Sequence, residues 1–79
     1  MNKQLENHII DCLFELSHPL NGAPVSLSFD AVKLEIVMQT NGSVVAVHAI
    51  NANQFLQMSP HAVLQLARSF AQDAGVVAA

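Results

Sequence analysis

The chain has 79 residues, 52% hydrophobic and only 11% charged, with a formal net charge of −3 at pH 7. That length suits one small domain, residues 1–79, that buries roughly 60% of its unfolded surface, and leaves no room for a second. Three scattered cations, Lys3, Lys33 and Arg68, cannot build the basic patch that nucleic-acid phosphates require.

No apolar run approaches the roughly 18–20 residues of a membrane span. Glu6, Asp11 and Glu15 interrupt what would be the apolar region of a secretory signal. A single cysteine, Cys12, rules out an internal disulfide and fits a reducing compartment, so a cytoplasmic location is expected.

The first predicted element is a helix over 3–17. Leu5, Ile9, Cys12, Leu13 and Leu16 recur at helical spacing, with Lys3, Asn7, Asp11 and Glu15 opposite. Ile10 and Phe14 widen the apolar arc, as in a helix that touches two neighbours. Pro19 pushes His18 out of the helical region and ends the element. The run from Pro19 to Pro24 is turn chemistry. Val25, Leu27 and Phe29 then alternate with polar residues as a half-buried strand.

The central expectation is a hairpin over Val32 to Ile50, folded about Asn41-Gly42, a dipeptide suited to a two-residue turn. In that register Met38 faces Val45, Ile36 faces Val47 and Leu34 faces Ala49. The core face then carries Val32, Leu34, Ile36, Met38, Val45, Val47 and Ala49. The outer face carries Gln39 opposite Val44, Val37 opposite Ala46, Glu35 opposite His48 and Lys33 opposite Ile50. The preceding strand has odd phase and this one even, so a tight turn at Asp30-Ala31 is preferred to a β-bulge. It makes a three-stranded meander.

After Ile50, Asn51 to Gln54 reads as a loop, and Phe55 to Met58 as a short fourth strand or an irregular lead-in. A second helix is strongly marked: Ser59 as N-cap, Pro60 at the first helical position, Met58 placed to staple onto Val63, and Gly75 after the C-cap. Its stripe is Val63, Leu66, Ala67, Phe70 and Ala74. The uncharged tail Val76 to Ala79 either docks or frays. The expected fold is α+β, a two-layer arrangement in which an antiparallel three-stranded meander is flanked by an N-terminal and a C-terminal helix, order α-β-β-β-α.

Chemistry is sparse. His8, Cys12 and Glu15 share one helical edge and can be drawn as metal ligands, or His8 and Cys12 as base and nucleophile. Cys12, however, belongs to the apolar stripe, and no second ligand cluster completes a site, so no metal, cofactor or catalytic residue is assigned. The four histidines have no metal-binding spacing. From Ile36 to Ala67 there is no Lys, Arg, Asp or Glu. Such a surface calls for a cover, either another protein or a second copy as a homodimer. The expected function is a non-enzymatic protein-binding module, an inhibitor, adaptor or assembly factor. Its partner-binding residues are Lys33, Glu35, Val37, Val44, Ala46, His48 and Ile50 on the outer sheet face, or it acts through a sheet edge such as Val25 to Phe29. In element order and acidity the chain resembles the first half of type III secretion chaperones, whose complete fold is longer. That likeness implies a chaperone that holds a protein substrate.

Overall fold

The structure, a computed structural model, describes residues 3–41 and 45–75. Helix α1 (Lys3–Leu16) leads to strands β1 (Val25–Asp30), β2 (Glu35–Thr40) and β3 (Val47–Asn51), then to helices α2 (Ala52–Gln57) and α3 (Pro60–Asp73). The strands form one antiparallel sheet in the order β1-β2-β3. This is the expected α+β meander flanked by helices. Gly42 of the expected Asn41-Gly42 turn and the tail Val76–Ala79 lie outside the described residues.

Helix α1 forms because Leu5, Cys12 and Leu16 fall on one face and are buried there, with Ile9 packed beside them. Leu13, 38% exposed, lies at the margin of that face rather than within the stripe. Ile10 and Phe14 touch no second neighbour: they project to solvent, Phe14 being 77% exposed. The chain then closes tightly, with Ala23 N–H donating to the Leu16 carbonyl and Gly22 N–H to the His18 carbonyl. A Cβ on Gly22 would lie 2.2 Å from the Leu16 oxygen, so only glycine fits. Arg68 of α3 donates to the Asn21 carbonyl and ties this turn to that helix.

Strand β1 pairs with β2 in the register Val25↔Thr40, Leu27↔Met38, Phe29↔Ile36. The odd and even phases do meet across a turn rather than a bulge. The turn is longer than two residues, however, and takes up 31–34. The Asp30 carboxylate accepts from the N–H groups of Val32 and Lys33 at 3.0 and 3.1 Å, and Leu34 closes the turn with φ 54°. An aspartate that bonds backbone two and three residues on can nucleate such a turn without glycine. Val32 and Leu34 are therefore turn residues, not core residues; Val32 is 93% exposed.

The β2–β3 register also differs from the expected one. Ile36 pairs with Ile50, Val37 with Ala49, Met38 with His48 and Gln39 with Val47. This is a shift of three residues, and any odd shift exchanges the two faces of a strand. Ile50 and His48 move to the helix side, and Val47 and Ala49 move to the outer side. Two local features set the register. Thr40 closes the hairpin: its N–H donates to the Ala46 carbonyl at 3.0 Å, and its hydroxyl oxygen accepts from Ala46 N–H at 2.8 Å. At the other end Asn51 is the N-cap of α2, accepting from Asn53 and Gln54 N–H. The segment expected as a fourth strand or irregular lead-in is thus a helix, and it carries Phe55 into the core with no exposure.

Helix α3 starts where expected, at Ser59, whose hydroxyl accepts from Ala62 N–H at 3.1 Å ahead of Pro60. Gly75 adopts φ 82° after its C-cap. The stripe is rotated from the expected one: Val63, Leu64, Ala67 and Ala71 are buried, and Leu66 and Phe70 pack at its margin. Together with Ile36, Met38, Ile50 and Phe55, these residues and those of α1 make one core on one side of the sheet. Every large buried side chain of the described residues lies on that side.

Candidate protein-interaction surface

Backbone hydrogen bonds of β2 are divided between its two neighbours. Asn41 N–H donates to the Pro24 carbonyl, so odd-numbered residues of β2 face β1. Thr40 N–H donates to the Ala46 carbonyl and Ala52 N–H to the Leu34 carbonyl, so even-numbered residues face β3. In an antiparallel pair, bonded and non-bonded residues alternate. Therefore Ala46, just ahead of β3, and His48 and Ile50 within it spend their N–H and C=O groups on β2, whereas Val47 and Ala49 point theirs away from the sheet. That is a free strand edge.

Natural edges are usually blunted by charge, proline or a bulge. The β1 edge is treated this way: Pro24 precedes it, Asp30 ends it, Val25 N–H is taken by the Ala23 carbonyl, and Leu27 and Phe29 are half-buried. Strand β3, Val-His-Ala-Ile-Asn, carries neither charge nor proline, and four of its five residues are exposed.

The outer face continues from that edge. Across it run the rows Ser26-Gln39-Val47, Ser28-Val37-Ala49 and Asp30-Glu35-Asn51. Val37 sits at the centre, half-buried between its neighbours, and Val47 is 60% exposed. Charged groups lie only in the last row, so the apolar trio Val37, Val47 and Ala49 forms a small uncharged patch against β3's open edge.

Of the residues expected there, Glu35 and Val37 are on this face. Lys33 lies in the exposed 31–34 turn, Ala46 lies half-buried beside Thr40, and Val44 is outside the described residues. His48 and Ile50 are on the opposite side: the His48 ring lies 5.7 Å from Phe70, and Ile50 is buried. The expected Glu35–His48 pairing gives way to Glu35 opposite Asn51. Sequence reasoning missed Val47 and Ala49. The signal that points to them is Asn51-Ala52-Asn53-Gln54, a cap with Gln at its third helical position. It starts a helix directly after β3, which then turns Ile50 inward.

The His8 and Cys12 cluster has a structural explanation. His8 Nε2 lies 2.6 Å from the Met58 carbonyl, and its ring meets Phe55 edge-on at 5.0 Å. Cys12 is fully buried. Burial pushes its thiol up to about 11, and the carboxylates of Asp11 and Glu15 act in the same direction, so at neutral pH it is a thiol and not a thiolate. Among the described residues no three His, Cys, Asp or Glu side chains converge on a point where a metal ion would fit, and no helix is long and apolar enough to cross a membrane. No protein-family profile, curated protein or solved structure matches the chain.

Proposed function

We propose that the chain is a small protein-binding module that takes a partner strand onto β3. The free N–H and C=O groups of Val47 and Ala49 supply the ladder, and the patch of Val37, Val47 and Ala49 supplies the adjoining contact. The observation that carries this reading is an edge strand with no charge and no proline, open along its length. The partner's chemistry follows: an extended segment with an uncharged, apolar outward face.

A second copy meets that description. Two β3 strands running antiparallel about Ala49 would set Val47 of each opposite Asn51 of the other and join the sheets into one of six strands. Nothing on β3 repels its own image, because the strand carries no charge.

Val47→Pro and Val37→Glu test the reading together. The first deletes an N–H that points away from β2, so the meander keeps its bonds. The second places a charge at the centre of the outer patch. Sedimentation velocity over a range of concentrations should show the parent associating and both variants monomeric, with unchanged circular dichroism. A parent that stays monomeric at every concentration, or a Val47→Pro variant that associates as the parent does, refutes it.

A further inference from the structure

At the end of the sheet remote from the β2–β3 connection lies a cleft of about 290 Å³ that takes in Asn51, the last residue of β3. Leu5 of α1, Phe29 of β1, Leu34 of the turn and Leu56 of α2 form its apolar walls, and Asn51, Ala52 and Asn53 complete the lining. None of its lining residues is charged.

Leu34 is the unusual member. Its φ of 54° is the left-handed region, where a branched side chain is strained and glycine or asparagine is not. Two anchors hold it there: the Asp30 carboxylate on the N–H groups of Val32 and Lys33, and the Leu34 carbonyl accepting from Ala52 N–H at 2.9 Å. The turn itself would be served better by glycine. What leucine adds is a side chain at the cleft rim, 59% exposed and available to close over an occupant. Strain retained at a cavity's mouth is a mark of a site rather than of packing.

We infer that this cleft binds a small neutral molecule with an apolar body and an amide or hydroxyl head. Charge is excluded by the lining, because an ion placed among these residues would lose its hydration without gaining a partner. The head group meets the carboxamides of Asn51 and Asn53, both of which donate and accept; capping of α2 occupies Oδ1 of Asn51 and leaves its Nδ2 outside the cap. The size follows from volume. An apolar cavity of about 150 Å³ holds benzene, so this one accommodates roughly ten to twelve non-hydrogen atoms.

Hexanamide is a soluble probe of that class, and hexanoate is its charged counterpart of equal length. Titration followed by NMR should give saturable shifts at the methyl groups of Leu34 and Leu56 with hexanamide. Hexanoate should bind at least about tenfold more weakly, because its carboxylate finds no cation. Leu34→Gly, which keeps the turn and removes the rim, should weaken hexanamide at least about tenfold, and Leu34→Met should retain it. The inference is overturned if hexanamide gives no saturable shift, if its shifts lie away from the cleft, if hexanoate binds equally well, or if Leu34→Gly binds as the parent does. Asn51 lines the cleft and also lies in the strand proposed to associate, so the titrations are run on the Val47→Pro variant, in which that association is blocked, and their outcome is read apart from it.

Discussion

Two substitutions at one position test the 31–34 turn without knowledge of any ligand. Leu34→Ala and Leu34→Gly both remove the leucine side chain, so the difference between them isolates the backbone. In an ordinary strand glycine is less stable than alanine by about 0.5–1 kcal/mol, because its unfolded chain is freer. At φ 54° an L-residue carries a penalty of about 1–2 kcal/mol that glycine escapes. The two effects oppose each other, and the second is larger. Leu34→Gly should therefore be the more stable of the pair by about 0.5–1 kcal/mol, which in a domain of this size moves the midpoint of thermal unfolding by about 2–8 °C. Parallel thermal and urea melts would measure it. An alanine variant as stable as the glycine variant, or more so, means that residue 34 is extended. The two-residue turn at Asp30-Ala31, with Leu34 on the core face, would then return.

Four further outcomes follow. Thr40→Val leaves Ala46 N–H without its acceptor in a partly buried place and should cost about 1–2 kcal/mol, while Thr40→Ser should recover most of it; equal stability of the two would deny the hydroxyl its role in closing the hairpin. Phe55→Ala, at the fully buried centre beside His8, should cost about 3–5 kcal/mol, enough to unfold most of a domain this small in a urea melt. Ser59→Ala and Asn51→Ala should each cost about 1 kcal/mol, and a silent Asn51→Ala would place the start of α2 elsewhere. The thiol of Cys12 rises on folding from 9.0 to about 11, so its stabilising effect is complete below pH 9 and is lost as pH climbs through about 11; Cys12→Ser should flatten that alkaline decline, and an unchanged slope would assign it to other groups.

What the sequence revealed and what it hid divide along a physical line. The start of α3 was legible because Ser59, Pro60 and the helix after them act on one another within one turn of chain. The strands were legible as alternations, and the meander as their only short connection. Register was not legible, because it depends on groups far apart in sequence. Asn41-Gly42 offers a two-residue turn, yet Thr40 and Ala46 close the hairpin, and the cap of α2 fixes which side of β3 faces inward. A shift of three residues then moved Ile50 into the core and Val47 and Ala49 out of it. The expectation of a partly apolar outer face therefore placed Glu35 and Val37 on it and misplaced His48 and Ile50. On α1, helical period alone could not show that Ile10 and Phe14 face solvent, since the missing neighbour is a property of the whole fold.

Amide hydrogen exchange along β3 tests the central claim most directly, because the edge, the register and the association all appear in one alternating pattern. In dilute solution Val47 and Ala49 should exchange rapidly and His48 and Ile50 slowly, since only the even-numbered residues bond to β2. Raising the concentration until the chain associates should slow Val47 and Ala49 and leave His48 and Ile50 unchanged. Protection of Val47 and Ala49 already present in dilute solution, or association that leaves their exchange fast, would contradict the account.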